Sequence, residues 1–223
     1  MLLSKSRSAS RFTDFVLMTL ALGAVWGFSE VVLGNFLRTT SFQFSSALLT
    51  GIGMATMAVV IASRKPIYSL LGIVPVAVVI KQLGVPLLGV SVMCEANSCL
   101  AVGLEAGGLA GMAIIFNQKM ERGVLARIMV PASGAILAAL AFWIIGRHVA
   151  PCNYLLSFSN PDSFLLKEGL PWAVFSGALF PVGWQIGQWL RTANVSIPAL
   201  SISLAGIALA GFSASAISIL SGG

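Results

Sequence analysis

The sequence predicts an all-α fold: a polytopic bundle of six to seven transmembrane helices with its N-terminus in the cytoplasm. Three observations carry that expectation. Hydrophobic residues make up 57% of the 223-residue chain and charged residues only 9%, against roughly 25% charged in an ordinary soluble protein. Apolar runs of about 20 residues, the length that crosses a bilayer, recur along the chain, and the polar stretches between them are too short to form a soluble domain. Basic residues gather on alternate loops. A single integral membrane domain over residues 1–223 follows. The net charge of +6 comes without a basic helix face or an aromatic-interleaved basic patch, so it reads as positive-inside bias and not as a nucleic-acid footprint.

Residues 1–14 form a basic cytoplasmic segment with Lys5, Arg7 and Arg11. The apolar run behind it, 15–37, exceeds the roughly 7–15 residues of a secretory signal core, and no clear small-x-small cleavage site follows. It reads as a retained first span. The second and third spans, 44–63 and 67–89, are separated only by Arg64, Lys65 and Pro66, which predicts a tight helical hairpin closed by the proline. Pro75 and Pro86 lie inside the third run, so a kink with released carbonyls is expected near Lys81. The fourth, fifth and sixth spans are expected at 98–116, 128–147 and 170–190. A last Gly/Ser/Ala-rich run, 197–220, either crosses as a seventh span or is re-entrant, and the C-terminus lies outside or inside accordingly.

Orientation follows from the lysines and arginines. With the N-terminus inside, nine fall on cytoplasmic segments, Arg64, Lys65, Lys119, Arg122, Arg127 and Arg191 joining the three already named; Arg38, Arg147 and Lys167 fall outside. Small residues recur at four-residue spacing, Gly23 with Gly27 and Gly103 with Gly107 and Gly111. That spacing lets helices approach closely in lipid, either within the bundle or toward a partner subunit. No internal repeat is evident, which speaks against an inverted-repeat transporter. The longest loop, 148–169, is external. Its turn signal at Asn160, Pro161 and Asp162 is flanked by Leu and Phe, and it either packs over the bundle mouth as a lid or lies along the interface.

Three charges stand inside apolar runs: Glu30, Lys81 and Glu105. A charge in the bilayer core is costly and needs a partner or a purpose. At about 1.5 Å per residue, Glu30 lies roughly 10 Å below the outer end of span one, Lys81 about 12 Å below that of span three and Glu105 about 10 Å below that of span four. The three therefore share one layer. Trp26 stands on the Glu30 face, Asn35 lies further outward and Gln82 follows Lys81, which makes these six residues the candidate substrate-binding set. Two readings stay open. In one, an outward-opening pocket binds a small solute, Lys81 neutralising one carboxylate while the other faces a cation, an amine or a proton. In the other, a buried ion pair fixes helix register and the leftover glutamate carries a proton.

A second constellation is external: Cys94 and Cys99 before span four, and Cys152 close to the sole histidine, His148. A disulfide in an oxidising exterior, a soft-metal site built from these four residues, and plain apolar cysteines are the alternatives. The spacing matches no metal motif, so no metal is assigned and the four remain weak candidates. The sequence has no GxxxxGK[ST] and no HExxH. Ser176 and His148 lack the surroundings of a serine hydrolase. Trp184, Gln185, Gln188 and Trp189 read as an interfacial belt. No catalytic residue and no cofactor is assigned.

A basic cytoplasmic N-terminus, a first span with Gly23 and Gly27, no ATPase motif, and a polar pocket near the outer face together resemble the substrate-binding S components of energy-coupling-factor transporters. The resemblance is architectural and spans most of the chain. It implies that the chain captures a small molecule from the external side and itself docks on a separate transmembrane coupling subunit with a pair of ATPases, through the small-xxx-small pattern of the first helix. The histidine-rich N-terminus of the cobalt and nickel members is missing, so their metal site is not carried over. The expectation is a multi-pass solute-binding or transport protein of the plasma membrane, the inner membrane of a bacterium. The alternatives are a redox- or metal-linked membrane protein using its external cysteines and a non-catalytic assembly subunit.

Overall fold

A computed structural model describes the backbone over residues 2–63, 68–88 and 92–193, with side chains over 13, 15–63, 69–70, 72–84 and 96–193. In lipid every backbone N–H and C=O must be satisfied within the chain, and an unbroken helix does this best. The described residues are accordingly helical, without strands. The first helix, α1 (Leu2–Phe28), passes through a π-helical turn (Ser29–Leu33) into α2 (Gly34–Thr39). There follow α3 (Ser45–Ala62), α4 (Tyr68–Leu88), α5 (Val92–Arg122) and α6 (Val124–Val149). Two single-turn helices, α7 (Asn153–Leu156) and α8 (Pro161–Phe164), and a second π-helical turn (Leu165–Gly169) lead into α9 (Leu170–Thr192). Among the described residues four segments are long and apolar enough to cross a membrane: Phe15–Thr39, Ser45–Ala62, Ala96–Arg122 and Val124–Val149; α4 adds a shorter apolar stretch, Gly72–Gly84. The Arg64, Lys65 and Pro66 turn and the run 197–220 lie outside the described residues.

The long helices pack in a ring. In order around it, α1 packs on α4, α4 on α5, α5 on α6, α6 on α9 and α9 on α3, and α3 closes lightly on α1 while also touching α5 across the middle. Glycines set the tightest seams. A Cβ on Gly183 would overlap the Ala55 carbonyl oxygen, and one on Gly187 would stand 2.5 Å from that of Val59, so α3 and α9 meet backbone to backbone. Gly23 and Gly27 serve α1 against α4 in the same way, facing the carbonyls of Ile73 and Ala77. The third expected glycine row behaves otherwise: Gly103, Gly107 and Gly111 meet nothing within 4 Å among the described residues, and their neighbour Gly108 makes the close contact, against Gly134 of α6. Trp26, Met54, Met57, Leu70, Leu109 and Phe180 are fully buried between these seams.

Three local expectations change. The fourth helix starts at Val92 and not near Ser98, so Cys94 and Cys99 stand on its first turns and not in a loop; nothing in the stretch after Val92 breaks a helix until Gly123. That glycine, in extended conformation, is the whole connection between α5 and α6. Finally, α4 continues as one helix past Pro75, from Tyr68 to Leu88. The 148–169 loop packs down, with Leu155, Phe158 and Phe164 buried and Phe142, Phe158, Phe164 and Trp172 stacked edge to face or tilted on one another. Asn160 caps α8 through its Oδ1, which accepts from the Ser163 N–H at 2.9 Å, with Pro161 in the first turn.

Candidate functional site: a charged cavity at one end of the bundle

Glu30, Lys81 and Glu105 come together. They line one cavity of about 200 Å³ between α1, α3, α4 and α5, opening toward the end of the bundle that carries Arg38 and Trp172. Each is almost fully buried, at 8%, 4% and 3% exposure. The Lys81 ammonium donates to Glu30 Oε2 as a buried ion pair. Glu30 sits on the π-helical turn, a widened turn that recurs at functional sites.

Glu105 is held differently. Thr50 Oγ1 donates to its Oε1 at 2.8 Å, while its Oε2 is buried with no hydrogen-bond partner. An unsatisfied buried carboxyl oxygen is expensive, of order 1–3 kcal/mol or more, and such groups in a native structure call for an occupant. The oxygen belongs to a residue that lines the cavity.

The rim is built by α2, α3, α5 and α9. Arg38 ends α2 and is exposed at the cavity mouth, with neither an ion pair nor a hydrogen bond from its side chain among the described residues. The turn behind it is a Schellman motif: Phe42 N–H donates to the Leu37 carbonyl and Ser41 N–H to that of Arg38, with Ser41 in the left-handed region at φ 54°. Ser45 and Ser98 also line the cavity. Beside them, Ser46 Oγ donates to Glu168 Oε2 at 2.6 Å, Tyr154 donates its hydroxyl to Glu168 Oε1, and Trp172 Nε1 donates to Ser46 Oγ at 3.3 Å. Both oxygens of Glu168 are thereby spent, one tying the 148–169 loop to α3 and the other holding Tyr154 within that loop. Partial burial, and then the adjoining Glu168 carboxylate, push the Tyr154 hydroxyl well above its usual pKa.

The remaining sequence candidates stand elsewhere. Trp26 lies about one helical turn below Glu30 and is packed on Gly53, whose Cβ would fall 2.5 Å from the indole. Asn35 is half-buried on α2 and does not line the cavity. Gln82 turns away from it and donates to Cys99 Sγ at 3.1 Å. Cys152 Sγ accepts from Asn97 Nδ2 at 3.2 Å, which also donates to the Ala150 carbonyl at 2.7 Å. Cys99 and Cys152 are not bonded to each other; the Cys94 side chain, and any pairing through it, lies outside the described residues. His148 is exposed at the end of α6. No group of three His, Cys, Asp or Glu side chains gathers among the described residues.

Arg38, Thr50, Ser45 and Ser98 escaped the sequence reading, yet helical spacing carried a signal for Arg38 and Ser98. Gly34 and Arg38 follow Glu30 at four and eight residues, and Ser98, Ala101 and Val102 precede Glu105 within two turns, so each set shares a face with its charge. Comparison with protein-family models, with curated proteins and with solved structures returned no match.

Proposed function

We propose that this chain is a multi-pass plasma-membrane protein that binds a small solute in the charged cavity and takes it up from the external side. The observation that carries the reading is Glu105 Oε2: a buried carboxyl oxygen without a partner, belonging to a residue that lines a cavity which already contains a self-neutralised ion pair. A purely structural charge cluster would use that oxygen internally, as it uses both oxygens of Glu168. The volume, about 200 Å³, is some seven waters' worth of liquid and lies below the roughly 300–1,000 Å³ of sites for drug-sized ligands. It suits a compact solute. The 223-residue sequence has no GxxxxGK[ST] P-loop, and energy for uptake comes from the solute gradient or from separate coupling and ATPase subunits. Such partners seat on a surface other than Gly23 and Gly27, which α4 occupies.

The test uses the full chain purified in mild detergent. Small molecules released on denaturation are identified by mass spectrometry for wild type and for Glu105→Gln, with thermal unfolding as the fold control. One solute released in near-stoichiometric amount by wild type, and reduced at least ten-fold in a variant that still unfolds cooperatively, supports the reading. Matching small-molecule profiles in the two proteins, together with equal uptake by cells expressing either, refute it.

A further inference from the structure

The groups that the cavity leaves over narrow the class of solute, granted that the cavity is a solute site. Lys81 and Glu30 answer each other, Thr50 is spent on Glu105 Oε1, and Ser46 is spent on Glu168 and Trp172. What remains for a ligand is Glu105 Oε2 in the interior and, at the mouth, the Arg38 guanidinium with the Ser45 and Ser98 hydroxyls, none of which makes a side-chain hydrogen bond among the described residues. One end thus offers a single acceptor that suits an ammonium. The other offers a cation and hydroxyl donors, the set that recognises a carboxylate.

We propose that the solute is a small zwitterion bound lengthwise, its ammonium on Glu105 Oε2 and its carboxylate under Arg38 with Ser45 and Ser98. The two ends lie well apart. Seven residues of α5 separate Ser98 from Glu105, about 10 Å of rise, and eight residues of helix separate Glu30 from Arg38, about 12 Å. After the reach of the side chains and two hydrogen bonds are subtracted, the two ligand charges stand several bonds apart. An ω-amino acid with a short methylene chain meets that spacing, and its seven to ten or so non-hydrogen atoms match the volume of a few waters. An α-amino acid, with both charges on one carbon, reaches only one end. A simple amine leaves Arg38 unanswered, and a simple acid leaves Glu105 unanswered.

Titration calorimetry on the detergent-solubilised full chain tests this with γ-aminobutyrate, δ-aminovalerate and ε-aminocaproate, against glycine, butyrate and butylamine. The expected result is that at least one ω-amino acid binds ten-fold or more tightly than glycine and than both singly charged controls. Glu105→Gln then removes its advantage over butyrate, and Arg38→Gln removes its advantage over butylamine; Arg38 is exposed, so this second variant keeps the fold. Butylamine binding as tightly as the ω-amino acids would overturn the proposal in favour of a cation site, and butyrate doing so would overturn it in favour of an anion site. Silence across the whole series, while wild type releases a different molecule that Glu105→Gln lacks, overturns the zwitterion and leaves the solute site standing. Silence together with an unchanged profile in Glu105→Gln overturns both.

Discussion

Lys81 and Glu30 hold each other's charge at a depth where neither is stable alone, and the consequence is asymmetric. Removing one partner leaves an uncompensated buried charge and costs about 3–5 kcal/mol, whereas replacing both by apolar side chains of similar size is often neutral or stabilising. Lys81→Met is therefore expected to lower the thermal unfolding temperature in detergent markedly, and Glu30→Met/Lys81→Met to restore most of it. A single variant as stable as wild type would show that the pair does not hold the helices together. Glu105 differs from this pair because half of its hydrogen-bonding capacity is left unused. The three charges were legible in the sequence because charges in apolar runs are rare and depth can be counted in residues. Their companions were harder to see. Asn35 stands about 140° around an ideal helix from Glu30, and Gln82 about 100° from Lys81, so adjacency along the chain misled where the four-residue step to Gly34 and Arg38 would have led to the cavity. Thr50, Ser45 and Trp172 reach the site only through tertiary packing that no single segment encodes.

Among the elements, glycine carries two opposite meanings that only the packed structure separates. Gly183 is the place where α9 touches the α3 backbone, and even one methyl there would overlap the Ala55 carbonyl. Gly183→Ala is expected to force the two helices apart at a cost of about 1–3 kcal/mol, read as a lower unfolding temperature in detergent. Gly107→Ala meets open space and is expected to be neutral or to stabilise α5 by up to about 1 kcal/mol through its better helix propensity. Equal effects of the two substitutions would contradict the packing described for α3, α5 and α9. Spacing alone pointed to Gly103, Gly107 and Gly111 as a packing row, because it cannot say which side of a helix a neighbour occupies; Gly108, outside that row, carries the contact. The long helices α1, α3, α4, α5, α6 and α9 were legible from apolar length, and their ends were not. α5 already runs through Val92, ahead of the apolar stretch that marked it in the sequence, and one extended residue, Gly123, suffices to turn the chain into α6. Neither π-helical turn left a trace in the pattern, although one carries Glu30 and the other Glu168.

At the scale of the whole molecule, one unknown decides what the cavity can do: which side of the membrane its mouth faces. The mouth lies at the end of the bundle formed by the C-terminus of α2 with Arg38, the N-terminus of α3 and the N-terminus of α9. The packed loop carrying Lys167 and Glu168 is at that same end, since Ser46 of α3 binds Glu168 directly. Lys119 and Arg122 end α5, far along that helix from the cavity-lining Ser98, at the opposite pole. Nine basic residues against three predict the Lys119 pole inside and the mouth outside. In a background with Cys94, Cys99 and Cys152 replaced by serine, single cysteines at Arg38, Lys167 and Lys119 report the orientation through a membrane-impermeant maleimide. Arg38→Cys and Lys167→Cys are expected to label in intact cells, and Lys119→Cys only after the membrane is opened. The reverse pattern would turn the cavity to the cytoplasm and make the protein an exporter or an internal sensor, with the same side chains reading the solute. Labelling of all three from outside would mean that the bundle does not span the bilayer as a unit, and would remove the basis for uptake altogether.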